Sequence, residues 1–178
     1  MRLFTAIDIP REVQVQLGAL LDRLRPAAKL SWSPVEKLHI TTKFIGEWPE
    51  DRLDEMKLAL GKVTAARAVQ IAVRGLGWFP NSRNPRVFWA GVEGGEDLKA
   101  LARATERAVN AIGVAVEDRE YSPHLTLARI RERVPLEALQ LATTSVKSTG
   151  FGSFDARSFH LYLSRGGQYS KLAEFAIS

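Results

Sequence analysis

The sequence predicts an α+β fold of mostly antiparallel sheets built as two related halves. Two observations predict it. Short β-prone runs alternate with helical stripes so that a strand-helix-strand-strand theme occurs twice. Each occurrence carries one copy of the same pattern, His39-Ile40-Thr41-Thr42 and His124-Leu125-Thr126-Leu127. No linker or low-complexity segment divides the chain, so residues 1–178 are expected to form one domain with interwoven lobes.

The elements follow in order. Arg2 to Ile9 is apolar and β-prone and ends at Pro10, which reads as a strand. Val13, Leu17, Leu20, Leu21 and Leu24 then recur at helical spacing until Pro26. Lys29 to Trp32 reads as a short strand and Leu38 to Ile45 as a firmer one closed by Gly46. A second helix is expected from about Glu50 to Val63 on the stripe Leu53, Met56, Leu60 and Val63. Val69 to Phe79 is a long strand with room for a bulge at Gly75 and Gly77. It joins Arg86 to Val92 through a turn at Asn81 to Pro85, which makes a hairpin.

A third helix spans Glu96 to Ile112, with Gly113 placed to cap it. His124 to Ile130 is a strand and Pro135 to Leu141 a short helix. Ser145 to Phe154, Ser158 to Ser164 and Leu172 to Ile177 close the chain as strands.

At 178 residues and 46% hydrophobic, the composition suits a globular core and argues against disorder. The absence of cysteine excludes a disulfide framework and thiolate chemistry. No charged start leads into an apolar run and cleavage site, and no apolar stretch of about 18 residues is present, so a soluble cytoplasmic protein is the expectation. The formal charge of +5 fits a solvated basic surface or attraction of a polyanion equally well.

The doubled pattern carries the chemistry. On a strand, His39 and Thr41 share one face and Ile40 and Thr42 the other, and the second copy repeats this. The two copies use two of only three histidines. His160 lacks a threonine partner and reads as structural. Threonine is a poor zinc ligand, so a metal centre is disfavoured, and no nucleophile-elbow pattern supplies an activated serine. Paired general acid and base catalysis uses both residue types. One neutral and one protonated imidazole flank a phosphorus, and the threonine hydroxyls donate to its non-bridging oxygens.

The sequence resembles the two-histidine phosphoesterases, in the branch of RNA 2′,3′-cyclic phosphodiesterases also called the 2′-5′ RNA ligase family. The resemblance runs through Leu3 to Pro10, the block Leu38 to Glu47, the block Pro123 to Arg129, and the late run Leu163 to Tyr169. It implies a bilobal fold of two pseudo-symmetric sheets with helices outside and a central cleft. It further implies opening of RNA 2′,3′-cyclic phosphate ends, tRNA fragments among them, to 2′-phosphomonoesters without metal or cofactor, and reversible ATP-independent 2′-5′ joining.

By the same resemblance, His39 and His124 are the acid-base pair, with His39 proposed as acid and His124 as base. Thr41, Thr126 and Arg129 hold phosphate. Strict alternation puts Arg129 on the face opposite His124, so the strand must twist, bulge or end for it to serve. Lys43 falls in phase with His39 and is a candidate RNA contact, as are Arg83 and Arg86 in the hairpin. Among Phe4, Phe44, Trp48, Trp78, Phe79, Trp89 and Tyr169, one exposed at the cleft would stack on the terminal base. Two other readings stay open: a non-catalytic RNA-binding module, and a phosphodiesterase for small cyclic nucleotides.

Overall fold

A computed structural model describes residues 1–65 and 67–177. The strands are β1 (Arg2–Asp8), β2 (Ser31–Trp32), β3 (His39–Glu47), β4 (Val69–Phe79), β5 (Val87–Glu93), β6 (His124–Arg129), β7 (Gly150–Ala156), β8 (Ser158–Arg165) and β9 (Gln168–Ala176). The helices are α1 (Arg11–Leu24), α2 (Leu53–Leu60), α3 (Gly95–Asn110) and α4 (Glu137–Thr143). The strands form a four-stranded sheet in the order β3-β1-β8-β9 and a five-stranded sheet in the order β2-β6-β5-β4-β7. Every strand pairing is antiparallel.

The two halves are interwoven. β1 belongs to the four-stranded sheet, yet α1, which follows it, packs on β7 of the other sheet. α3 follows β5 and packs across both β3 and β4. Each helix presents the stripe its spacing dictates. α1 buries Val13, Leu17, Leu20, Leu21 and Leu24, and α3 buries Leu98, Leu101, Ala102, Thr105 and Val109. Fully burying one such aliphatic side chain contributes about 1.5–3 kcal/mol, so these crossed stripes hold the sheets as one body.

The expected elements are present, with shifted ends where hydrogen bonding prevails over residue preference. The second helix is shorter than expected: a 3-10 turn at Glu50–Arg52 leads into α2, which stops at Leu60. The segment expected as strand from Ser145 is turn until Gly150, because its carbonyls serve β4. Leu76 N donates to Lys147 O (2.9 Å) and Gly75 N to Thr149 O (2.9 Å). Gly75, at φ +77°, is the expected bulge. Gly77 has another reason: a Cβ there would lie 2.1 Å from the Trp89 ring, which lies over it. β9 starts four residues before the expected Leu172, since Gly166 and Gly167 at positive φ form a tight turn that pairs Gln168 with Arg165.

Candidate active site

The two motif strands meet where the sheets adjoin. β3 is the edge of the four-stranded sheet, β6 stands next to the edge of the other, and the two are in contact. An edge strand leaves carbonyls without ladder partners, and here hydroxyls supply them. Tyr121 Oη donates to the Thr41 carbonyl (2.9 Å), and Ser33 Oγ donates to the Thr126 carbonyl (2.9 Å). Each hydroxyl comes from the lead-in to the opposite motif. The two central threonines are therefore tied crosswise between the halves.

Both strands contain a bulge one residue after the threonine. In β3, Ala6 stands opposite Thr41 and Thr5 opposite Lys43, which leaves Thr42 as the extra residue. In β6, Trp89 stands opposite Thr126 and Phe88 opposite Ala128, which leaves Leu127 as the extra residue. A bulge inverts the alternation beyond it. Arg129, opposite Val87, therefore returns to the face of His124 and Thr126. Lys43 is turned away from the face of His39, and Phe44, opposite Phe4, takes the position that Arg129 holds in the other half.

This corrects the reading of Lys43 as an RNA contact. Its side chain is 6% exposed, and its Nζ donates to Glu106 Oε1 (3.0 Å) and the Ala115 carbonyl (3.1 Å). It fastens α3 to β3. The bulge at Thr42 is the physical reason, reinforced by the buried hydroxyl pair Thr5 Oγ1–Thr42 Oγ1 at 2.6 Å. Arg86 is exposed at the end of the β4–β5 hairpin. There it lines a groove with Arg131 and Arg133 and stands off the histidine face.

The histidines are matched in detail. His39 Nδ1 lies 2.8 Å from the Lys37 carbonyl and His124 Nδ1 lies 2.8 Å from the Ser122 carbonyl. A carbonyl can only accept, so each Nδ1 carries the proton and each Nε2 is left free for chemistry. Aromatic rings fix the imidazoles from the side: Tyr169 edge-on to His39 at 5.3 Å, Phe79 edge-on to His124 at 5.0 Å, and Phe4 4.9 Å from His39. Among the described residues, neither the Thr41 nor the Thr126 hydroxyl is engaged by another protein group, and Arg129 takes part in no ion pair.

Electrostatics separate the two histidines. Burial pushes both below the ordinary histidine value, the nearby Arg129 charge pushes the same way, and at His39 the His124 charge adds to it. The Ser122 carbonyl opposes this at His124, while at His39 the Lys37 carbonyl and the Asp8 carboxylate both oppose it. Asp8 is the cross-strand partner of His39. Burial raises the Asp8 carboxyl, but hydrogen bonds from Lys171 (2.7 Å) and Tyr162 and the charges of His160 and Lys171 hold it below its usual range.

Sequence reasoning missed Asp8, Tyr121 and Ser33. Asp8 offered one signal, a single carboxylate at the end of a largely apolar strand, but its partner depends on a register that no local pattern specifies. Among the described residues, no group of three or more His, Asp or Glu side chains is gathered that could hold a metal ion. None of the described helices is long and apolar enough to cross a membrane.

Comparison with known proteins bears on the fold and the family. The family model described as LigT like Phosphoesterase matches residues 7–89 and again 92–170, one match for each half. The RNA 2′,3′-cyclic phosphodiesterase of Archaeoglobus fulgidus is 32% identical over 161 residues, covering 90% of this chain and 89% of that protein. The protein of the same name from Thermus thermophilus is 36% identical over 145 residues, 76% of this chain and 71% of its own. Among solved structures, TT0787 of Thermus thermophilus is 31% identical with a TM-score of 0.79, covering 99% of this chain and 98% of that one. The structure of E. coli LigT complexed with 3′-AMP, 24% identical with a TM-score of 0.76 and covering the same shares, is alike in fold. A doubled family match, relatives alike over most of their length and two histidine-bearing strands in contact at the sheet junction lead to one conclusion: the chain belongs to the LigT-like phosphoesterase family.

Proposed function

We propose that residues 1–178 act as one bilobal enzyme that opens RNA 2′,3′-cyclic phosphate ends to 2′-phosphomonoesters by paired histidine catalysis without a metal. The observation that carries this reading is the matched pair of imidazoles, each pinned at Nδ1, free at Nε2 and sharing its strand face with an unengaged threonine hydroxyl, on two strands in contact, with the Arg129 charge felt at both.

The steps use this chain's own groups. Thr41 Oγ1 and Thr126 Oγ1 donate to the non-bridging oxygens, and Arg129 neutralises the charge that builds there. His124 Nε2 takes a proton from water as the water oxygen bonds to phosphorus. The bond from phosphorus to the 3′-oxygen breaks in line, and that oxygen takes the Nε2 proton of His39. The phosphate stays on the 2′-oxygen. His39 is assigned as acid because Asp8 favours its protonated form, and no such carboxylate aid acts on His124. An RNA 5′-hydroxyl in place of water follows the same proton transfers and leaves a 2′-5′ linkage, which is ligation without ATP.

The test is an oligonucleotide ending in a 2′,3′-cyclic phosphate, incubated in EDTA, with the product phosphate assigned to the 2′ or 3′ position. A 2′-phosphate formed in EDTA is expected. A 3′-phosphate overturns the direction of opening, and complete loss in EDTA overturns the metal-free chemistry. The relatives' name, RNA 2′,3′-cyclic phosphodiesterase, supports the RNA substrate over a small cyclic nucleotide.

A further inference from the structure

Three surface cavities differ sharply in size and charge. One of about 850 Å³ is lined by Glu93, Glu96, Asp97 and Asp155 against the single cation Arg67. A second, about 300 Å³ beside His39, balances Asp8 and Glu36 with Lys37 and Lys171. The third, about 1140 Å³, is basic: Arg83, Arg86, Arg131, Arg133 and Lys147 line it with only Glu132 and Glu137 in opposition. All five cations are exposed, and among the described residues none is in an ion pair.

The basic groove is a built feature rather than a loose loop. Asn81 Oδ1 accepts from Arg83 N (2.9 Å) and Asn84 N (3.0 Å), which sets the hairpin tip. Gln140 of α4 donates to the Ser82 carbonyl (3.0 Å), and Ile130 N donates to the Arg86 carbonyl (2.9 Å). The groove is joined to the site along the chain, since Ile130 in its lining follows Arg129 directly. β6 carries His124 at one end and Arg129 at the other, and the chain then runs through Ile130 into Arg131 and Arg133. At the usual strand rise, Arg131 is roughly 23 Å along the backbone from His124, within reach of a short oligonucleotide.

We propose that this groove binds the phosphate backbone of the RNA strand that precedes the reacting end, so that the enzyme prefers oligonucleotides to cyclic mononucleotides. The inference rests on the RNA-end reading above. A 2′,3′-cyclic phosphate closes the 3′ end of a strand, so the rest of the RNA leaves the site in one direction only and needs one track. The cavity beside His39 is small and balanced in charge, and the acidic cavity repels a polyanion. The groove that the chain enters just after β6 has the size and the excess of positive charge. It is also larger than the roughly 300–1,000 Å³ of small-molecule sites.

The experiment compares wild type with the triple variant R83Q/R131Q/R133Q, all at exposed positions. Two readouts are taken: kcat/KM on a cyclic mononucleotide and on a 12-nucleotide RNA with a cyclic phosphate end, and salt-dependent binding of a fluorescent 12-nucleotide RNA with a plain 3′-hydroxyl. Wild type should favour the 12-mer by about tenfold or more at low salt, and the variant should lose most of that ratio. The slope of log affinity against log salt should shrink by about 2, since each contact on a single strand contributes about 0.7. A wild type indifferent to length, or a variant with unchanged ratio and slope, overturns the groove, and that second result is also what an acidic-peptide site would give. No turnover of either substrate, with the salt slope still reduced in the variant, instead removes the activity reading and leaves the groove standing.

Discussion

Arg129 shares a strand face with Thr126, three residues before it, because Leu127 is taken up as an extra residue between Thr126 and Ala128. The arginine charge therefore lies near both imidazoles and lowers both. Replacing it with glutamine should cost about 10²-fold in kcat/KM, the scale of losing one preorganised donor at developing charge. The same change should raise the titration midpoints of His39 and His124, followed by NMR. Midpoints that stay put would place the guanidinium elsewhere.

Removing either imidazole removes one proton transfer. His39→Ala and His124→Ala should each lose about 10²–10⁴-fold in kcat on a cyclic-phosphate RNA, with unchanged circular dichroism. Full activity in either variant contradicts the paired mechanism.

The pH profile follows from the same groups. Productive free enzyme needs His39 protonated and His124 neutral, and both midpoints lie below the ordinary 6.5. The maximum in kcat/KM should therefore fall below about pH 6.5, with the alkaline limb belonging to His39. Asp8→Asn removes the charge that favours protonated His39 and should move that limb to lower pH, while Asp8→Glu should hold it. An alkaline limb indifferent to Asp8→Asn would argue for the reverse assignment.

Stability carries the same sign. Burial lowers His39, His124 and His160 in the folded chain, so the unfolded chain binds more protons just below 6.5. Stability is thus complete above that value and declines as pH falls through the folded midpoints. Thermal unfolding should move to lower temperature between about pH 7 and about pH 5, and a constant midpoint across that window would contradict the burial of the imidazoles.

The Lys43–Glu106 pair gives a prediction in stability rather than activity. Lys43→Ala strands a half-buried carboxylate and should cost roughly 3 kcal/mol by urea denaturation, towards the lower end for a broken buried pair because Glu106 keeps some access to water. K43M with E106Q, which removes both charges, should recover most of that loss. RNA affinity falling with stability intact in Lys43→Ala would return Lys43 to the binding surface.

Much of the molecule was legible from one dimension. The amphipathic stripes of α1 and α3, the full extent of β4, the bulge at Gly75 and the facing of His39 with Thr41 all follow from local spacing, since period and punctuation are properties of the chain itself. The scarce histidines, doubled in one context, marked the site for the same reason. What tertiary structure decided was phase and partnership. Alternation alone sent Lys43 toward the cleft and Arg129 away, and the bulges at Thr42 and Leu127 reversed both. A bulge forms where the partner strand leaves no place in the ladder for one residue, so it depends on β1 and β5, distant in sequence from the residues it turns. Asp8, Tyr121 and Ser33 were hidden by the same rule: Asp8 meets His39 through the β1–β3 register, Ser33 meets Thr126 beside the β2–β6 pairing, and the meeting of the two sheets brings Tyr121 to Thr41.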